Sequence, residues 1–195
     1  MENHSPRQNE IIKVSLDIIY NEGIQMLTMK YIGAKLGISD AALYKHFESK
    51  DDILAAVVDE FSRLSLNILH DIENRPISSC AKIKSFFLDR CELFAKNKAM
   101  AAVMFSEDFF SHNPRLEEKL TDVADEHKSI LDNFFEQGQY SSEIRTDIPK
   151  GHLFTLIIGT LRFLVMQWRG SNYAFDLPKK GLDVWTSIEK MISPL

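Results

Sequence analysis

Apolar residues recur every three to four positions along the chain, and no window sustains the apolar and polar alternation of a half-buried strand. The pattern predicts an all-α fold, punctuated by Gly and Pro. A first helix, Arg7 to Glu22, carries Ile12, Leu16 and Ile19 on one stripe and stops at Gly23. Thr28 is placed to cap a short helix, Met29 to Leu36. Gly37 closes that helix, and Ser39 caps a second short one, Asp40 to His46. After Phe47, Ser49-Lys50-Asp51-Asp52 has the Ser-x-x-acid form of a helix start. Ile53, Leu54, Val57, Phe61, Leu64 and Ile68 then continue one long helix to about Ile72, which Asn74-Arg75-Pro76 ends. Further helices are predicted at 79–96, 98–111, 115–137, 150–169 and 180–192.

Composition narrows the class. A chain of 195 residues, 45% hydrophobic and 26% charged, suffices for one full core plus a small satellite domain. It is too apolar for a disordered chain and too poor in Cys for a disulfide scaffold. The longest nearly apolar run, Leu153 to Met166, is interrupted by Arg162 and is short for a bilayer core of about 30 Å, so no membrane span is expected. Met1 to Glu10 lacks a basic start and an apolar stretch, and a cytoplasmic location is expected. Cys80 and Cys91 share one predicted helix, roughly 16 Å apart at 1.5 Å per residue, so they are expected as unpaired, buried or half-buried thiols. The six His are scattered without metal-ligand spacing; neither a metal nor a cofactor is expected.

The net charge of −5 argues against nucleic acid only as an average. Residues 1–50 hold six Lys/Arg and six Asp/Glu, so the acidic excess lies entirely beyond them. Within 25–50, Lys30, Lys35, Lys45 and Lys50 outnumber Asp40 and Glu48. Helices as short as Met29–Leu36 and Asp40–His46 are marginal alone and must be held by the helices on either side, which is a helix-turn-helix arrangement. In that arrangement the second helix enters the major groove, and Thr28, Lys30, Ser39, Tyr44, Lys45, His46 and Lys50 are donors placed to meet DNA. Lys50 opposes the dipole of the helix it begins, a conflict that a phosphate removes, although Asp51 and Asp52 also satisfy that dipole.

These residues carry a resemblance. Gly23, Thr28-Met29-Lys30-Tyr31-Ile32-Gly33, Leu36-Gly37-Ile38-Ser39 and Ala42-Leu43-Tyr44-Lys45-His46-Phe47-Glu48-Ser49-Lys50 resemble the DNA-binding domain of the tetracycline-repressor (TetR/AcrR) family. The resemblance spans residues 11–55; the remainder fits by length and helical content. It implies a homodimeric transcriptional regulator, usually a repressor, released from a palindromic operator by a small molecule bound in the C-terminal domain. It implies residues 1–48 as the DNA-binding domain and 49–195 as the ligand-binding and dimerisation domain, with 49–73 the connecting helix. By position, Thr28, Lys30, Tyr44, His46 and Lys50 would touch phosphate, and Ser39, Asp40, Ala41 and Lys45 would face bases or the groove wall. Gly33 departs from the family's usual Ala, and Asp40 sets an acid where it would accept from cytosine N4 but repel phosphate.

Eleven of the 13 Phe follow residue 85, together with Met100, Met104 and Met166. This region is either an adaptable apolar cavity or a Phe-filled core. As a cavity, it would be lined by Phe87, Cys91, Phe94, Met104, Phe105, Phe109, Phe134, Phe154 and Ile158, and would favour an apolar or aromatic effector. Arg162 is either an anion-binding group in it or an ion-pair partner at an interface. Helix 150–169 is apolar on nearly every face, so a homodimer is expected through Leu153, Gly159, Leu161 and Trp168 together with Leu182, Trp185 and Ile188. The competing class is an all-helical carrier or sensor of acyl-like ligands without specific DNA binding; the lysine-bearing short helices argue against it. Catalysis is not expected. His112 near Asp108, and His127 beside Asp125 and Glu126, have the spacing of surface helices, with no nucleophile or phosphate loop.

Overall fold

A computed structural model of the chain describes residues 4–105 and 113–194. Their regular structure is helical: α1 (Pro6–Glu22), a 3-10 turn (Ile24–Met26), α2 (Met29–Leu36), α3 (Asp40–Tyr44), α4 (Lys50–Glu73), α5 (Ser79–Lys96), α6 (Lys98–Met104), α7 (Pro114–Tyr140), α8 (Lys150–Gly170) and α9 (Leu177–Ile192). The all-α expectation holds. The part of the expected helix 98–111 beyond residue 105 lies outside the described residues, as do Phe109, Asp108 and His112.

Two ends among the later helices differ from expectation for identifiable reasons. The last helix starts at Leu177 rather than 180, because the Asp176 side chain accepts from the Lys179 backbone N–H at 2.9 Å. Pro178 then occupies the first turn, where a missing N–H costs nothing. α7 runs through Gly138 to Tyr140 instead of stopping at 137. Gly138 serves there as a place of close approach: a Cβ on it would lie 2.6 Å from Ile144 Cδ1, so the missing side chain lets the following segment fold back over the helix end.

The chain divides into two compact units. The first comprises residues 1–62 and 98–120, so it extends beyond the expected DNA-binding segment 1–48. α1 packs against α2 and α6, and α2 against α3. Ile11, Ile18, Ile32, Leu43, Ile53 and Val57 are sealed in its core, where Val103 and Leu116 join them. The second comprises residues 63–97 and 121–195. There α9 packs on α5 and α8, and α8 on α5, around Phe87, Phe94, Phe134, Phe135 and Trp185. Cys80 is half-buried and Cys91 buried, and both are free thiols. α8 is long and apolar enough to cross a membrane by length and composition, which the interrupted run Leu153–Met166 did not suggest. Its inner face, Leu153, Ile157, Leu161, Leu164 and Trp168, is core of this unit.

Candidate nucleic-acid interface and the interior of the second unit

The turn between the short helices is built from Gly37. Its φ of 66° and ψ of 31° are left-handed, a conformation open to Gly without a Cβ penalty. Gly37 N–H bonds to Ala34 O at 3.3 Å and Ile38 N–H to Gly33 O at 3.0 Å, the paired closure that satisfies the last carbonyls of α2. Gly33 adds a close approach: a Cβ there would lie 3.2 Å from Ile38 O and 3.3 Å from Asp40 Oδ1. Leu43, fully buried, anchors α3 from beneath. The expected α3 stops two residues early. His46 N–H bonds to Leu43 O at 2.9 Å, so the chain turns tightly after Tyr44 and leaves Lys45 and His46 outside the helix.

The residues assigned to DNA share one unit. Thr28, Lys30, Ser39, Asp40, Ala41, Lys45 and Lys50 are exposed, Tyr44 is 52% exposed, and His46 is half-buried. Thr28 Oγ1 accepts from Tyr31 N–H, and Ser39 Oγ accepts from Ala42 N–H, both at 3.2 Å. Each hydroxyl therefore caps its helix and keeps its own hydrogen to donate outward. Ser49 Oγ accepts from Asp52 N–H at 3.2 Å and donates to the Asp52 carboxylate at 2.8 Å. That cap fixes where α4 begins and hence where Lys50 stands. The Ser49 and Arg115 contacts hold the Asp52 carboxyl below its ordinary range, the Arg115 pair being 2.7 Å. At α2, Tyr31 Oη donates to Glu22 at 2.6 Å and Lys35 pairs with Glu22 at 3.0 Å. Both tie α2 to the end of α1 and lower the Glu22 carboxyl.

The second unit changes several expectations. Leu153, Leu161, Trp168, Trp185 and Ile188 are buried within their own unit and cannot face a second copy. Periodicity finds apolar positions but does not say which side of a doubly apolar helix is covered. Gly159 and Leu182 are exposed, joined on the outer surfaces of α8 and α9 by Leu156, Phe163, Met166 and Met191. Arg162 is exposed on that outer face of α8 and does not enter the interior of its unit. Phe87, Cys91, Phe94 and Phe134 are buried, and Phe154 and Ile158 half-buried. Met104 and Phe105 belong to the first unit. Phe87 and Cys91 meet α9 tightly. The Phe87 and Trp185 rings are 5.7 Å apart, and a Cβ on Gly181 would lie 2.8 Å from Cys91 Sγ. Burial pushes the Cys91 thiol up to about 12, which makes it inert.

His127 is not on a surface helix face. It is 8% exposed and shares the interior with Ser65 and Arg90, a trio that sequence patterning missed because its members come from α4, α5 and α7. Arg90 Nη1 donates to Ser65 Oγ, Ser65 contacts His127 Nε2, and His127 Nδ1 contacts Val123 O. Burial pulls the Arg90 guanidinium down to about 9, partly offset by Asp89. Burial and the Arg90 charge pull His127 down to about 4. Among the described residues, no group of three or more His, Cys, Asp or Glu is placed to hold a metal ion.

Residues 11–57 match the family described as "Bacterial regulatory proteins, tetR family", and residues 45–190 match "YsiA-like protein, C-terminal region" of the TetR group. The fatty acid metabolism regulator protein of Bacillus subtilis (strain 168) is 22% identical over 177 residues, 91% of each chain. The nucleoid occlusion factor SlmA of Idiomarina loihiensis is 24% identical over 170 residues, 86% of this chain and 85% of that one. Among solved structures, the transcriptional regulator FadR from Bacillus subtilis in complex with stearoyl-CoA superposes with a TM-score of 0.79 at 22% identity, covering 96% of this chain and 97% of that one.

Proposed function

The chain belongs to the TetR family of bacterial regulatory proteins, and from that premise we propose that it is a cytoplasmic repressor that binds a palindromic operator as a homodimer and leaves it when an apolar effector binds. One observation supports the reading: Thr28, Lys30, Ser39, Tyr44, Lys45 and Lys50, donors suited to phosphates and base edges, are all exposed in the unit that holds α2, α3 and the start of α4, whose core is sealed. An acyl-chain carrier needs no such surface. Residues 1–48 are the DNA-binding segment, and 49–195 carry the effector and the dimer contact.

The effector belongs with the aromatic second unit. Burial of an apolar chain there yields about 25 cal/mol per Å² removed from water. The relative that regulates fatty acid metabolism, and the FadR structure holding stearoyl-CoA, favour an acyl chain over a compact aromatic. The dimer contact is the outward apolar stripe of α8, Leu156, Gly159, Phe163 and Met166, with Leu182 and Met191 of α9. Gly159 admits close approach, since nothing lies within 4 Å of a Cβ built on it. A second copy laying the same two helices across this face makes a four-helix bundle about a two-fold axis. The recognition helices of such a dimer would sit about 34 to 36 Å apart, in successive major grooves. α4 contains no Gly or Pro and serves as the rod that couples effector to operator. By linkage, an effector that disfavours the DNA-bound form lowers operator affinity by the factor by which operator lowers its own, typically 5 to 150-fold.

The test is selection of duplexes from fragmented genomic DNA by the full chain, followed by titration of the enriched site with and without palmitoyl-CoA. Enrichment of a two-fold symmetric site that palmitoyl-CoA weakens supports the reading. Failure to enrich any sequence contradicts it. The SlmA relatives make a second outcome informative: a symmetric site bound with unchanged affinity in the presence of acyl ligands would point to a DNA-binding role without effector release.

A further inference from the structure

Of the residues assigned to DNA, Asp40 alone is an acid. It stands exposed at the first position of α3, directly after the cap Ser39. Among the described residues, no hydrogen bond or ion pair engages its carboxylate. Other acids of the same unit are engaged: Asp52 by Ser49 and Arg115, and Glu22 by Tyr31 and Lys35. What borders the Asp40 side chain is a bare stretch of backbone. Gly33, buried in α2, has no Cβ, and one built there would stand 3.3 Å from Asp40 Oδ1. The glycine gives the carboxylate room beside α2 without supplying it a partner.

Support of the helix start does not account for this acid. Ser39 Oγ already accepts from Ala42 N–H at 3.2 Å. A helix of five residues sums few aligned peptide dipoles, so an acid in its first turn gains little. Beside the phosphates of a duplex, an unpaired carboxylate lowers affinity for every sequence that offers it no donor. In a helix-turn-helix, the first residues of the second helix meet base edges in the major groove. Guanine shows two acceptors there, thymine one, and adenine an acceptor beside a donor. Cytosine alone presents a donor, its N4 amino group, with no acceptor. A carboxylate accepts and cannot donate, so cytosine is the base it fits.

We propose that Asp40 is a specificity-determining residue, accepting from N4 of one cytosine in each operator half-site and disfavouring the other bases at that position. The inference rests on the DNA-binding reading above and adds a base that the operator must hold. The neighbouring cations attract any duplex, and Asp40 turns part of that attraction into choice by repulsion.

The experiment is parallel selection from a random duplex library by the full chain and by its Asp40→Ala and Asp40→Asn variants. Anisotropy titrations at one salt concentration follow, on the selected site, on that site with the cytosine of each half replaced by thymine, and on random duplex. The unaltered chain should enrich a symmetric site with a cytosine in each half that Asp40→Ala no longer selects, while the other positions keep their preferences. Replacing those cytosines should weaken the unaltered chain at least about fivefold and Asp40→Ala by less than about twofold. Asp40→Ala should at the same time bind random duplex more tightly than the unaltered chain, because a negative charge has left the field of the phosphates. Asp40→Asn should move the selected base from cytosine toward adenine, whose N6 and N7 suit an amide. A merely structural role at the helix start would weaken Asp40→Ala on every duplex and leave all base preferences unchanged, which would overturn the inference. A selected site with no cytosine whose preference depends on Asp40 would overturn it too, while leaving the DNA-binding reading standing. If the unaltered chain enriches no sequence, that reading itself fails, and this inference with it.

Discussion

In the first unit, Thr28, Lys30, Tyr44, Lys45 and Lys50 stand in solvent above Ile11, Ile32, Leu43 and Ile53, which are sealed. In the second unit, Ser65, Arg90 and His127 lie inside, and Leu156, Phe163 and Met166 face outward. The inversion fits what the proposed function asks of each unit. A rigid polyanion outside the protein is met by displayed cations and hydroxyls, whose desolvation is small and whose cores can be purely apolar. A small apolar ligand must be surrounded, so the side chains that would meet it lie in an interior. An outward apolar stripe is then left for another protein surface to cover.

Breaking the foundation of the displayed surface should have the largest effect. Leu43→Ala removes a fully buried anchor of α3 and should cost about 2 to 5 kcal/mol. Urea unfolding should show the lower midpoint, and DNA binding should fall for every sequence alike.

The buried trio should make the second unit acid-sensitive. His127 has a folded-state value of about 4 against an ordinary 6.5, so between these limits the unfolded chain binds more protons. Stability from the neutral ring is fully present above pH 6.5 and is lost as the pH falls toward 4. The loss should be on the order of 3 kcal/mol at most. Thermal midpoints at pH 7.5, 6 and 5 should decline, and His127→Gln should flatten that decline. An unaltered slope in the variant would assign the acid sensitivity to other groups.

Tight packing where α9 crosses α5 should show in Gly181→Ala. Its new methyl would press on Cys91 Sγ, at a cost of about 1 to 3 kcal/mol, part of which Cys91→Ala in the same chain should restore. If calorimetry shows Gly181→Ala to be neutral, the Phe87 and Cys91 wall is yielding rather than filled.

The outward stripe should matter least to the fold of a subunit and most to association. Phe163, 61% exposed, can become Glu within about 0.5 kcal/mol of the original subunit stability. Sedimentation should nevertheless shift from dimer to folded monomer. A persistent dimer would place the contact elsewhere.

How much of this was legible in the sequence differs between the two regions. In the first unit the signals are local: Thr28 and Ser39 cap the helices they precede, Gly37 takes the left-handed turn, and Ser49 starts α4. Periodicity and turn chemistry both act over a few residues, and both were readable. The 3-10 turn at Ile24–Met26 and the early end of α3 were not, because each is set by a pair of backbone bonds that no side chain within it announces. In the second unit the deciding contacts are distant in sequence. Ser65 and His127 are 62 residues apart, and Ser65 and Arg90 are 25 apart. Nothing about Ser65 on α4 announces such neighbours. The same limit explains the dimer face: the spacing in α8 marked both sides as apolar, and only packing against α5 and α9 tells that Leu161 and Trp168 are inside while Phe163 and Met166 are out.

The displayed residues of the first unit are the proposed DNA contacts. Fluorescence anisotropy of the full chain on its selected duplex, across a range of salt concentrations, tests it most directly when the unaltered protein is compared with the Tyr44→Ala, Lys45→Ala, Lys50→Ala triple variant. The variant should keep its helical circular dichroism, lose affinity for selected and random duplex alike, and show a salt dependence shallower by about one for each phosphate contact removed. A triple variant that binds the duplex at low salt as tightly as the unaltered protein would contradict it.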